Sequence, residues 1–243
     1  MPESSGNHKI DLNKRLQQVI QRIREAEVRF GRQPGSVQLL PVSKNQSAED
    51  IATLNQAGML AFGESYVQEA VDKITSLANL GLQWHFIGPI QSNKTQLIAQ
   101  YFDWVHSIDR EKIARRLNDQ RPENLAPLNI CLQVNISEEA SKSGVQPSAL
   151  TDLAAQVREL PRLRLRGLMA IPAPSSNFEQ QRRAFHAVTE LLRSLQGGWN
   201  NSESELDTLS MGMSGDLEAA IAEGSTIVRV GTDIFGARVL NQG

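Results

Sequence analysis

Cysteine, aromatic rings and net charge are all in short supply in this 243-residue chain. The single Cys131 lies in the apolar stretch Leu128-Asn129-Ile130-Cys131-Leu132-Gln133-Val134, which excludes an internal disulfide and a multi-cysteine metal site and fits a reducing, cytoplasmic setting. A formal net charge of −2 and a sequence pI near 6.1 leave no global attraction for nucleic acid or anionic membrane, so any phosphate recognition must be local. No apolar run approaches membrane-spanning length, and the polar start Met1-Pro2-Glu3-Ser4-Ser5-Gly6-Asn7-His8 lacks the basic-then-apolar plan of a signal peptide. The expectation is a soluble, unprocessed protein. No G-x-G-x-x-G follows an early strand, which argues against a dinucleotide-binding open sheet, and there are no internal repeats or low-complexity tracts.

What is present is alternation. Leu12, Leu16, Val19, Ile20 and Ile23 share one face of a helix running from Asp11, a suitable N-cap, to Phe30 before Gly31, with residues 1–8 expected as a flexible tail. Eight apolar, β-prone stretches follow: one ending at Lys44, then Met59–Phe62, Gln83–Ile87, Trp104–Ser107, Leu128–Ile136, Leu163–Ile171, Leu206–Met211 and Thr226–Val230. Helical patterns lie between them over Ala48–Gln56, Glu64–Ala78, Lys94–Gln100, Arg110–Asp119, Pro147–Glu159, Phe178–Leu195 and Gly215–Ala222. Regular strand–helix alternation of this length predicts one α/β domain over residues 9–240, a single (β/α)8 TIM barrel preceded by an N-terminal helix.

In such a barrel the C-terminal ends of the strands carry the chemistry. Lys44, at the end of the first stretch, would present an amine to the mouth, able to capture an aldehyde as a Schiff base. Pro41 lacks an N–H, so a bulge or bend is expected there. The loops after the seventh and eighth strands, where barrels often hold phosphate, are rich in small polar residues. Ser214 and Gly215 stand just before a helix, as an ordinary N-cap or as an anion site; Gly231 and Thr232 form a turn in which backbone amides and a hydroxyl approach a ligand closely. Arg229 alternates with Val228 and Val230, so its guanidinium points into the barrel, towards either a carboxylate on a neighbouring strand or an acceptor on a ligand. An amine beside a phosphate cradle calls for a ligand carrying a carbonyl and a phosphate. Pyridoxal 5′-phosphate and a phosphorylated sugar in a Schiff-base aldolase both qualify.

Several longer motifs narrow this choice: Val42-Ser43-Lys44, Phe62-Gly63-Glu64-Ser65-Tyr66-Val67-Gln68-Glu69, Trp84-His85-Phe86-Ile87-Gly88-Pro89-Ile90-Gln91-Ser92-Asn93-Lys94, Gly167-Leu168-Met169-Ala170-Ile171, Ser210-Met211-Gly212-Met213-Ser214 and the run Arg229–Arg238. Through them the sequence, from its first helix to Arg238, resembles the pyridoxal phosphate homeostasis proteins (YggS- and PROSC-like), whose barrel is related to the N-terminal domain of alanine racemase. The resemblance implies that Lys44 forms an internal aldimine with pyridoxal 5′-phosphate. It also implies that Ser214, Gly231 and Thr232 hold the phosphate and that Arg229 faces the pyridine nitrogen. Two departures stand out. Ser65 replaces an Asn that lies close to the cofactor in relatives, a shorter side chain that leaves room for water or weakens one contact; Asn45-Gln46-Ser47 replaces the usual Thr followed by Lys-Pro.

The same resemblance separates a carrier from a racemase. Alanine racemase uses a tyrosine from a second domain of the partner subunit as its second acid/base group, and neither Tyr66 nor Tyr101 offers an obvious replacement. His85, flanked by apolar residues, reads as a structural histidine, with His106 a second candidate base. An arginine at the pyridine nitrogen keeps that nitrogen unprotonated and weakens the ring as an electron sink. The expected function is therefore a cytoplasmic, monomeric pyridoxal phosphate-binding protein of vitamin B6 homeostasis with little or no catalysis, serving pyridoxal phosphate-dependent apoenzymes as partners and binding neither nucleic acid nor membrane. The alternative is a fold-type III amino-acid racemase. Lys142 reads as a solvated loop lysine, and Arg162, Arg164 and Arg166 as a solvated outer patch.

Overall fold

A computed structural model describes residues 3–137, 143–198 and 206–236. The expectations for Lys142 and Arg238 lie outside the described residues.

The first helix, α1 (Glu3–Arg29), buries Leu12, Leu16, Val19, Ile23 and Ala26 at three- and four-residue spacing. It begins earlier than the Asp11 cap suggested, and the stretch expected as a tail is helical from Glu3. A tertiary contact that spacing alone does not disclose ties down this end: His8 Nε2 lies 2.7 Å from Asp50 Oδ1. At its other end the chain turns through Gly31 at φ 65°, a conformation glycine adopts without steric cost.

Eight parallel strands follow: β1 (Gln38–Pro41), β2 (Ala61–Glu64), β3 (Gln83–Phe86), β4 (Trp104–Ile108), β5 (Leu128–Val134), β6 (Leu163–Ala170), β7 (Thr208–Ser210) and β8 (Ile227–Val230). Helices α2 (Ala48–Gln56), α3 (Val67–Ser76), α4 (Thr95–Tyr101), α5 (Glu111–Gln120), α6 (Leu150–Arg158), α7 (Phe178–Gly197) and α8 (Leu217–Ala222) connect them. The short α9 (Thr232–Phe235) follows β8. The strand order β1-β8-β7-β6-β5-β4-β3-β2 runs right round, and the bridge Val42↔Gly63 joins the two ends into the expected (β/α)8 barrel.

The bulge expected at Pro41 is absent, since β1 pairs with β8 in unbroken register from Gln38↔Ile227 to Pro41↔Val230. The amides of Gln38 and Val42 donate to β8, so the alternate residue Pro41 turns its ring nitrogen towards β2. Its missing donor falls on the β1–β2 join, where no ladder is present to lose it. The irregularities lie elsewhere, between Val105 and Ile108 on β4 and between Ile130 and Cys131 opposite Gly167 on β6. Gly167, at φ 157°, passes so close to Thr208 that an added Cβ would overlap the Thr208 carbonyl. The extra residue there, Arg166, stacks over Trp104 at 5.1 Å and pairs with Asp207. Arg162 bonds to the carbonyls of Pro122 and Leu125, so these two arginines stitch the floor of the barrel and are not a purely solvated patch.

The main apolar core is the layer between sheet and helices, including Phe62, Phe86, Phe102, Val105, Leu132, Ile113, Leu168, Phe185 and Val228. Burial of each such side chain contributes about 1.5–3 kcal/mol. Inside the barrel two small clusters, Leu40 with Ala61 and Ile227, and Trp104 with Cys131 and Met169, leave a polar column between them. That column comprises His85, His106, Ser210 and Arg229, all buried.

Candidate functional site at the barrel mouth

β1 ends at Pro41, three residues before the predicted end. Val42 makes the closing bridge, Ser43 N donates to Gly63 O at 2.9 Å, and the chain then turns through Lys44 and Asn45, the latter at φ 60°. Lys44 thus leaves the barrel wall on a tight turn at the mouth. A cavity of about 290 Å³ opens beside it, and its lining includes Lys44, Ser65, Ser214, Arg229, Gly231 and Thr232. All six residues singled out from the sequence meet at one place, although they come from the ends of β1, β2, β7 and β8. Gln46, Ile87, Ile171 and Met213 complete much of the wall and carried no comparable signal, being ordinary loop or apolar residues.

The anion-type loops differ in detail from the sequence reading. α8 starts at Leu217 with Asp216 at its N-cap, so Ser214 and Gly215 form the turn before the helix. Asp216 Oδ1 accepts from Met213 N at 2.6 Å, fixing that turn, and burial raises the carboxyl's pKa. On the other loop Gly231 caps a helix where only a turn was expected; its carbonyl accepts from Ile234 N and Phe235 N at 3.0 and 2.9 Å. The first amides of α9 therefore have no acceptor within the helix. Both loops are tied to α1 through one side chain. Arg22 donates to Asp233 Oδ2 at 2.6 Å, to Glu218 Oε1 at 2.9 and 3.0 Å and to the Ser214 carbonyl at 3.1 Å.

Arg229 is 3% exposed and, among the described residues, hydrogen-bonds no carboxylate. Nη1 donates to Ser210 O at 2.5 Å and Ser210 Oγ at 2.7 Å, and Nη2 to Ala170 O at 3.1 Å. Burial lowers its pKa to about 10, which leaves it cationic at neutral pH. Of the two options left by the sequence, a carboxylate hydrogen-bonded from a neighbouring strand is not seen among the described residues; Asp216, before α8, acts on Arg229 only through its charge. Neither Tyr66 nor Tyr101 is among the residues lining the cavity.

Beneath Lys44 lies a buried ionic cluster that the sequence reading missed. Lys73 Nζ bonds Glu64 Oε1 at 2.8 Å, Glu69 Oε1 at 2.5 Å and the Ser43 carbonyl at 2.7 Å, while Ser43 Oγ donates to Glu64 at 2.7 Å. Only its Glu69–Lys73 pair, four apart on α3, was legible as a helical spacing.

The sequence profile of the alanine racemase N-terminal domain family matches residues 15–239. The chain is 57% identical over 223 residues to the pyridoxal phosphate homeostasis protein of Pseudomonas aeruginosa, covering 92% of this chain and 94% of that one. It is 54% identical over 231 residues to the Escherichia coli K12 protein of the same name, covering 94% and 97%. The chain belongs to the pyridoxal phosphate homeostasis protein family. Among solved structures, PipY of Synechococcus elongatus with PLP bound superposes with a TM-score of 0.79 at 36% identity, over 93% of this chain and all of PipY (100%). An alanine racemase from Clostridium difficile shares the fold alone, at 12% identity and a TM-score of 0.68, and the match spans 57% of its length. Members of the homeostasis family are thus matched over nearly their whole length, whereas that racemase extends well beyond the barrel.

Proposed function

We propose that this protein binds pyridoxal 5′-phosphate at the barrel mouth and serves in the homeostasis of that cofactor, with little or no catalysis of its own. The observation that carries this reading is the convergence of Lys44, Arg229 and the Ser214 and Gly231–Thr232 loops on one cavity. The donor set fits the group. Lys44 supplies the amine that would hold the aldehyde as an aldimine, and the two small-residue loops supply hydroxyls and amides for a phosphate. The buried guanidinium, bonded only to neutral oxygens, retains donors for a ring nitrogen. When bound, pyridoxal phosphate offers an electrophilic carbonyl and an electron-withdrawing ring.

Ser65 lines the same cavity and would approach the ring as the shorter counterpart of the family's asparagine. In this reading the protein acts as a cytoplasmic monomer that passes the cofactor to apoenzymes. The racemase alternative is disfavoured because neither Tyr66 nor Tyr101 is among the residues lining the cavity and because a cationic Arg229 donating to the ring nitrogen would keep that nitrogen unprotonated.

The test is spectroscopic. Protein mixed with pyridoxal 5′-phosphate should develop an absorbance band that borohydride bleaches and that Lys44→Ala lacks; a wild-type protein without the band contradicts the reading. Solvent deuterium exchange at the Cα of added amino acids at enzyme-like turnover would establish the racemase instead.

A further inference from the structure

The polar column inside the barrel is a continuous hydrogen-bonded chain that ends on Arg229. Gln83 Oε1 lies 3.1 Å from His85 Nε2, His85 Nδ1 lies 2.9 Å from His106 Nε2, and His106 Nδ1 lies 2.7 Å from Ser210 Oγ. Ser210 Oγ in turn lies 2.7 Å from Arg229 Nη1. Both rings are fully buried. Burial pushes His85 down to about 3 and His106 well below the usual imidazole range, the latter helped by His85 and by the Arg229 charge. The rings are therefore neutral, each with one donor and one acceptor nitrogen.

A guanidinium accepts nothing, so it donates to Ser210 Oγ, and among the described residues the side-chain acceptor within reach of the buried Ser210 hydroxyl proton is His106 Nδ1. The Ser210 hydroxyl proton is directed to His106 Nδ1. His106 then carries its proton on Nε2 and donates to His85 Nδ1; His85 carries its proton on Nε2 and donates to Gln83 Oε1. Every bond then points away from the cation; the reverse polarity needs the Gln83 amide turned to present its nitrogen and leaves the buried Ser210 hydroxyl proton without an acceptor among the described residues. Trp104, stacked on His85 at 5.3 Å and 4° between planes, holds that ring in place. At the near end, Nη1 uses both hydrogens on Ser210 and Nη2 uses one on Ala170. The second Nη2 hydrogen and the Nε hydrogen remain for the cavity.

We propose that Ser210 and His106 are positioning residues for Arg229: the one-way chain anchors the guanidinium so that a fixed pair of N–H groups faces an acceptor nitrogen on the bound ring. This rests on the reading of the cavity as a pyridoxal phosphate site and deepens it. The chain itself lies outside the cavity lining and touches the ligand only through Arg229.

Two measurements test it. The four histidines reduce to two in His8→Gln/His186→Gln, which alters only exposed rings. In that protein without cofactor, 15N spectra should show both remaining rings neutral and protonated on Nε2 at pH 7; a charged His106, or one protonated on Nδ1, overturns the proposal. Ser210→Ala and His106→Asn should weaken pyridoxal 5′-phosphate binding about tenfold and shift the absorbance band, while inorganic phosphate affinity stays within about twofold and Ser210→Thr restores the band. Folded variants with wild-type affinity and band overturn it, and if the variants do not fold the 15N spectrum still decides. A wild-type protein that forms no band refutes the cofactor reading, and the histidine protons are then judged on their own.

Discussion

Lys73 Nζ lies 2.7 Å from the carbonyl oxygen of Ser43, the residue that precedes Lys44. On the other flank, Asn45 N donates to Glu69 Oε1 at 2.6 Å, and Glu69 is itself paired with Lys73. A single ion pair on α3 thus grips both peptide units around the amine. Glu64, 0% exposed, depends on the same cation, and its Oε2 has no hydrogen-bond partner among the described residues. Lys73→Met should therefore cost about 3–5 kcal/mol in urea unfolding, with partial recovery in Lys73→Met/Glu64→Gln, because the uncompensated buried carboxylate is the main penalty. Borohydride-trappable attachment at Lys44 should slow in parallel. An unchanged unfolding midpoint would show that the cluster carries no such weight.

Arg22 is half-open to solvent and bridges α1, the Ser214 turn and α9. Because exposed ion pairs contribute about 0–1 kcal/mol, Arg22→Ala should leave stability nearly intact. It should instead loosen the Ser214 and Thr232 loops, so that, if these hold the phosphate as proposed, affinity for pyridoxal 5′-phosphate falls several-fold while affinity for pyridoxal is unaffected. Equal losses for both ligands would assign Arg22 a different role.

His85 and His106 make the fold acid-sensitive. Their folded-state pKa values are depressed, so the unfolded chain binds more protons than the folded one below pH 6.5, and stability declines as the pH falls from there towards about 3. Where both are charged only in the unfolded chain, they add a slope of about 2.7 kcal/mol per pH unit. Urea unfolding between pH 7 and 4 measures it, and a His106→Asn protein should show a shallower dependence. A flat wild-type profile contradicts the buried neutral pair.

How much of this was legible in the sequence depends on the range of the interaction. The strands, the barrel and the convergence of Lys44 with Ser214, Arg229, Gly231 and Thr232 follow from periodicity and from where barrels place their loops. The lysine strap and the histidine chain do not. Lys73 reaches Ser43 across thirty positions of sequence and His106 reaches Ser210 across more than a hundred, pairings that only strand order and register create. His85 was legible as structural, but its partner was not. Pro41 misled because the sequence cannot tell which neighbour a strand residue faces.

Gly88 offers a test at the edge of the site. A Cβ there would lie 2.4 Å from the Ser65 carbonyl oxygen and 2.8 Å from its Cα, both backbone atoms that yield only at a cost. Gly88→Ala should destabilise the protein by about 1–3 kcal/mol and displace Ser65 from the cavity wall, weakening cofactor binding. Retained affinity with lowered stability would separate Ser65 from recognition.

The join between β1 and β2 has one further consequence. Its bridge, Val42↔Gly63, and the Ser43–Gly63 bond sit at the rim, directly below Lys44, while Pro41 has no amide with which to extend the seam downward. At this seam the wall is held by that bridge and that bond in place of a ladder. The two staves that meet there carry Lys44 on one lip and Ser65 on the other, and amide hydrogen exchange at Ser43, whose bond crosses the seam, should outpace that at Val42, whose bond runs to β8.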